Sequence, residues 1–193
     1  RDEALLRGKE LLESSPTPLG LGAREAVEEA IFIQANNRIF GVIFWFMVLG
    51  AGGAWLYRVS DMLRRRAAFE AARQGLPRIS GDLGSVLAFV HGVLSWLPAR
   101  LTALAYALAG SFEDAVGNWR SAVERVGPAT GVLDRSEDLL ARVGKGSLQP
   151  SLASVNPDTL DVATARGAWR IVRRSLWIWI AVIAFLVITG AAV

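Results

Sequence analysis

The chain has 193 residues, 52% of them hydrophobic and 20% charged, with seven Trp and no Cys. With a mean hydropathy of +0.35, this composition excludes disorder as a description of the whole chain and points to a membrane, because soluble domains carry about 25% charge and fewer apolar residues. The lack of Cys and the single His exclude a disulfide scaffold, a thiolate or His-cluster metal site and a Cys nucleophile, and a net charge of +3 is too weak to indicate nucleic acid.

The chain opens at Arg1 with a polar stretch, so no signal peptide is expected at its start and a longer parent protein is expected. Residues 4–13 read as a short helix ended by Ser14-Ser15-Pro16-Thr17-Pro18. A second helix should begin near Gly22 or Ala23 and run into residues 39–57, IFGVIFWFMVLGAGGAWLY, which carry no charge and are bracketed by Arg38 and Arg58. As one helix they would cover about 28 Å, close to the hydrocarbon thickness, so a first transmembrane span is expected there. An Arg-rich helix should follow over residues 60–74, closed by Gly75 and Pro77.

Residues 83–112 are apolar but interrupted by Pro98-Ala99-Arg100. One helix would be about 45 Å long, too long for an untilted span, and Pro disfavours helical geometry at Leu97. Two short helices meeting at Pro98 are expected, either a re-entrant pair or a pair packed at the membrane surface. Small residues at Gly84, Ala88 and Gly92, and at Ala105 and Ala109, suit close helix contact, as do Gly50 and Gly53 in the first span. A kink is the companion reading of the Gly50–Gly52–Gly53 stretch. Residues 112–126 form an amphipathic stripe through Ala115, Val116, Trp119, Ala122 and Val123, ended by Gly127-Pro128. Ser136 reads as an N-cap for a short helix stopped by Gly144, and residues 145–156 as a Gly/Ser/Pro loop. Asn156-Pro157-Asp158 is a helix start, and one long helix should then enter the membrane over residues 175–193, again uncharged and preceded by Arg173 and Arg174.

The expected fold class is therefore an all-α polytopic membrane protein with two clear transmembrane helices, a possible re-entrant helical pair and a cytoplasmic helical region. Its segments are residues 1–22, 23–58, 59–156 and 157–193. Arg58, Arg64, Arg65, Arg66 and Arg73 after the first span, and Arg166, Arg170, Arg173 and Arg174 before the last, place residues 58–174 in the cytoplasm and both ends outside.

Few residues carry chemistry. Glu25, Glu29, Phe32 and Asn36 share a helix face, and two carboxylates one turn apart can hold a hard cation such as Mg²⁺ beside a phosphate; a solvated acidic face is the plainer reading. Asp61 is the acid nearest the first span. Arg58 and Arg100 end apolar helices beside Tyr57 and Pro98, where Arg can hold a phosphate bidentately or snorkel to headgroups. His91 on an apolar helix reads as hydrogen-bonded to a neighbour, Arg64-Arg65-Arg66 as a headgroup contact, and Trp45, Trp96, Trp119 and Tyr57 as packing residues.

FWFMVLGAGGAWLYR (44–58), preceded by EAIFIQANNRIFG (29–41), and LSWLPARLTALAYALAG (94–110) resemble the two signatures of the AmpE family of bacterial inner-membrane proteins. That family is similar to the CobD/CbiB proteins of cobalamin biosynthesis, which join an aminopropanol unit to cobyric acid in an ATP-consuming step. The matching positions are Asn36, Trp45, Gly50, Gly53, Tyr57, Arg58, Trp96, Pro98 and Arg100. The resemblance implies further helices upstream, location in the inner membrane, and a signalling role linked to cell-wall stress and β-lactamase induction. An anionic or phosphorylated ligand is expected near Asn36, Tyr57, Arg58 and Arg100. The alternatives are an ATP-dependent amide-forming enzyme using Mg-nucleotide at Glu25, Glu29 and Asp61, or a structural subunit of a larger complex. After the Tyr-Arg pair the cobalamin enzymes show an Asn-Thr-Leu-Asp type stretch where this chain has Val59-Ser60-Asp61-Met62, with only Asp61 acidic, and before the Pro-Ala-Arg motif they carry acids where this chain is apolar with His91 and Ser95, so cation-assisted phosphate chemistry loses its expected ligands. Expected partners are membrane lipids and a membrane protein partner or second copy, not nucleic acid; the cofactor is left open.

Overall fold

A computed structural model describes residues 23–73, 81–124, 131–152 and 160–190. Its elements are all helical: α1 (Ala23–Ala35), a wider π turn (Asn36–Phe40), α2 (Gly41–Arg73), α3 (Gly81–Ala109), α4 (Phe112–Glu124), α5 (Val132–Leu152) and α6 (Leu160–Ile188). Three stretches, 26–71, 83–109 and 163–188, are long and apolar enough to cross a membrane. The protein is an all-α polytopic membrane protein. The expected helix over 4–13, the stops at Gly75, Pro77 and Gly127-Pro128, and the start at Asn156-Pro157-Asp158 lie outside the described residues.

The first apolar run is not a straight rod. Gly50 has φ 65° and ψ −155° inside α2, a combination essentially restricted to glycine. The chain reverses there. A straight helix would hold residues 41 and 57 about 24 Å apart, yet a Cβ on Gly41 would collide with the Tyr57 ring. Tyr57 OH donates to Asn37 Oδ1 at 3.3 Å, and Arg65 Nη2 donates to Gln34 Oε1 at 2.7 Å. Residues 34–49 and 51–65 thus form an antiparallel helical hairpin, in place of the single span expected over 39–57. Gly50 serves the turn and not close packing, since a Cβ there would meet nothing within 4 Å. Gly53 sits under its own turn, against the Trp45 carbonyl and the Leu49 side chain.

The expected break at Pro98 does not occur: α3 runs through it. Proline lacks the N–H that would satisfy the carbonyl of Leu94 one turn earlier. Trp45 Nε1 donates to that carbonyl at 2.9 Å, so a side chain of the hairpin supplies the donor that the proline removes. Trp45→Phe should then leave a carbonyl unsatisfied and cost about 1–3 kcal/mol, measurable as a lower unfolding midpoint in detergent.

The core lies where α1, α3, α5 and α6 meet. Tyr106 is fully buried, packs edge-on against Phe32 and Phe40, and donates its hydroxyl to the Phe32 carbonyl at 2.9 Å. Trp179 of α6 stacks beside Phe40 with ring centroids 5.8 Å apart, joined by Ala168, Ile171 and Val172. The amphipathic α4 buries Ala115 and Ala122.

α5 corrects a second expectation. Ser136 is not a cap but lies inside the helix, with Oγ bonded to the Val132 carbonyl. Gly144 does not stop it, and the expected loop is helical to Leu152. The small residues are there because neighbours come close. A Cβ on Gly144 would collide with the Phe32 ring, and one on Gly146 would fall 2.9 Å from the Asp114 carbonyl. Gly144→Ala should therefore overpack the α1–α5 contact and cost about 1–3 kcal/mol, read in the same unfolding assay. Gly92 on α3 lies against the Leu133 backbone and Ala88 is buried, whereas Gly84 has nothing within 4 Å of a Cβ, so no close contact uses it.

Candidate functional site

The neck of the hairpin, beside α3, gathers most of the buried polar side chains. The π turn carries Asn36 and Asn37 inward, closed by the Gly41 N–H bonding to the Asn36 carbonyl. Such turns add one residue to the helical ladder and often mark functional positions. Tyr57, Asp61 and Arg64 recur at helical spacing on the facing arm and are all buried, and α3 contributes His91 and Ser95 one turn apart.

Asp61 is the centre. Its side chain is fully buried, and three arginines reach it: Arg64 Nη2 at 3.0 Å, Arg65 Nε at 2.9 Å and Arg58 Nη1 at 3.4 Å. Arg64 also pairs with Glu137 of α5 at 3.3 Å, which ties α5 to the hairpin. Charge is therefore paired on this face, as it must be at low dielectric.

A second branch is uncharged. Asn36 Nδ2 donates to Asn37 Oδ1 at 3.2 Å and to Ser95 Oγ at 3.3 Å. Ser60 Oγ donates to the Tyr57 carbonyl at 2.8 Å and meets His91 Nδ1 at 3.0 Å. With its one hydrogen given to that carbonyl, Ser60 accepts from Nδ1–H, which leaves His91 Nε2 turned to Asp61 Oδ1 at 3.7 Å. The Tyr57 and His91 rings lie 5.0 Å apart.

Ser60, His91 and Asp61 are the residue types of a hydrolytic triad, but they are not arranged as one. The Ser60 hydroxyl is committed to a main-chain carbonyl and all three side chains are buried, so no nucleophile is presented. What the arrangement can do is couple the two arms and α3 through one polar network. Asn36 Oδ1, Asn37 Nδ2, Arg64 Nε and His91 Nε2 are buried there without a hydrogen-bond partner among the described residues. Buried polar atoms of this kind concentrate where a network has more than one arrangement or receives a further polar group.

The expected site residues separate. Asn36 and Tyr57 join the network, linked through Asn37, and Arg58 and Asp61 meet directly. Arg100 lies on its own helix, its guanidinium 4.0 Å over the Trp96 ring and bonded to the Trp96 carbonyl at 3.0 Å. Of the expected metal set, Glu29 is bonded by Lys145 Nζ at 2.9 Å and Asp61 is held by arginines, while the Glu25 side chain lies outside the described ones. Among the described residues no three His, Asp or Glu side chains are placed to hold a metal. Sequence reasoning did not place Asn37, Ser60, Arg64, Ser95 or Glu137 in the site. The helical spacing of Tyr57, Asp61 and Arg64 was the available signal.

A family model described as "Regulatory signalling modulator protein AmpE" matches residues 23–193. The chain is 31% identical over 182 residues to "Cobalamin biosynthesis protein CobD" of Chromobacterium violaceum, an alignment covering 88% of this chain and 55% of that protein. It is 33% identical over 100 residues to the protein of the same description from Stutzerimonas stutzeri, covering 52% of this chain and 31% of that one. The chain thus spans about half the length, or less, of the curated relatives it matches. No solved structure matches it. That match runs over the whole helical assembly, from the start of α1 through α6 and including the polar neck, and the chain belongs to the AmpE family of regulatory signalling modulator proteins.

Proposed function

We propose that the chain is the membrane-embedded working part of a bacterial inner-membrane regulator that modulates the response to cell-wall stress, including β-lactamase induction. The observation that carries this reading is the family match over residues 23–193, together with the buried Asp61 network at its centre. Half-exposed Arg58 at the rim would meet the anionic or phosphorylated ligand, with Tyr57 and Asn36 behind it and Arg100 outside the network. The exposed apolar faces of α3 and α6 would contact lipid and a protein partner or second copy.

The test is deletion of the full-length gene in its own host, followed by β-lactamase activity after exposure to a β-lactam. The reading predicts altered induction, restored by the wild-type gene. Unchanged induction overturns it. The identity to CobD over 88% of the chain supports a second reading, a role in cobalamin biosynthesis with Mg-nucleotide as co-substrate. A cobalamin requirement in the deletion strain would favour that reading.

A further inference from the structure

The hairpin turned at Gly50 is apolar at its tip and charged at its neck, and its arms are short. The rise from Arg38 to Gly50 is about 18 Å and from Gly50 to Arg58 about 12 Å, against a hydrocarbon core of about 30 Å. Measured from the arginines, neither arm is long enough to cross a bilayer; the longer reaches past its middle and the shorter stops just short of it. Phe46, Val48, Leu49, Trp55 and Leu56 around the tip are exposed. Arg38 lies about one turn from Gly41 and Arg58 lies next to Tyr57, so the contact of Gly41 with the Tyr57 ring sets the two arginines at about one level.

We propose that residues 39–57 dip into a single leaflet of the bilayer and return, with the exposed tip side chains covered by acyl chains and Arg38 and Arg58 both at the headgroups of that leaflet. Residues 23–38 and 58–73 then lie on the same side of the membrane. This replaces the opposite-side placement that a hydropathy reading of residues 39–57 gives. It also puts the Asp61 network at the membrane surface and not at its midplane.

The chain has no Cys, so single reporters are readily introduced into the full-length protein once any Cys elsewhere is replaced by Ser. Arg38→Cys, Met62→Cys and Leu49→Cys would be exposed to a membrane-impermeant maleimide in sealed vesicles of known orientation. The expected result is that positions 38 and 62 react from the same face, while labelling at 49 is lost on both faces until detergent is added. Reaction of 38 and 62 from opposite faces, or of 49 from the face opposite 38, would overturn the proposal. A spin-label pair at Arg38→Cys and Met62→Cys gives an independent reading. The hairpin predicts a separation of about 10–20 Å between labels on the paired arms. A straight helix predicts roughly 36 Å and would contradict the proposal.

Discussion

Asp61→Ala is expected to destabilise the folded protein by about 3–5 kcal/mol, because removing one member of a buried ion pair strands the other. Three guanidinium groups converge on this carboxylate, and one of them, Arg64, keeps only 8% of its side chain exposed. Glu137 stays within 3.3 Å of Arg64, so the loss should fall towards the lower end of that range. Arg58→Ala is the control. Its side chain is 42% exposed and its contact with Asp61 is 3.4 Å, so its removal should cost no more than about 1 kcal/mol. Unfolding of the full-length protein in mixed micelles, titrated with denaturing detergent, separates the two. Equal effects would mean that Asp61 is not the organising charge.

Gly50→Ala should cost about 1–3 kcal/mol, since the turn holds φ 65° and ψ −155° and a Cβ is strained there whatever the space around it. The space is open, with nothing within 4 Å, so the effect isolates backbone conformation from packing. Gly52→Ala has the same open surroundings but no positive φ. It should be neutral or stabilising by up to about 1 kcal/mol, as for any exposed helical glycine. If both substitutions behave alike, the hairpin turn is not made at Gly50.

The contrast between those two glycines shows where sequence reasoning stops. Residues 39–57 form a long uncharged run, which is the signature of a span, and hydropathy is blind to one residue's φ. The Gly-rich stretch was visible as a kink or a close contact, but not as a reversal. Pro98 shows the opposite error. A local rule predicts a break there, and a tryptophan far upstream in the chain supplies the missing donor. In α5, Gly144, Gly146 and Ser147 look like loop residues by propensity. They are helical all the same, and the two glycines are small because Phe32 and α4 approach too closely for larger side chains. What was legible rests on long periodic or apolar segments: the all-helical class, the amphipathic α4 and the long C-terminal helix. In the site, Asn36, Tyr57, Arg58 and Asp61 could be singled out as polar groups beside an apolar run. The groups that complete the network, Gln34 on Arg65, His91 on Ser60, Ser95 on Asn36 and Glu137 on Arg64, lie across the hairpin or on other helices, and no spacing along the chain announces them.

The central claim is that the buried network at the hairpin neck does the regulatory work, and is not merely part of the scaffold. It is tested most directly in the host, with the deletion strain carrying the full-length protein as Ser60→Ala or His91→Gln. Ser60→Ala removes both hydrogen bonds of the Tyr57–Ser60–His91 branch and His91→Gln the one between Ser60 and His91, and both leave the Asp61–arginine pairs in place. The measurement is β-lactamase activity after β-lactam exposure, set against the amount of the protein in the membrane. The account predicts protein levels close to those of wild type and a response that falls towards that of the deletion strain. Full response at an unchanged protein level would contradict it.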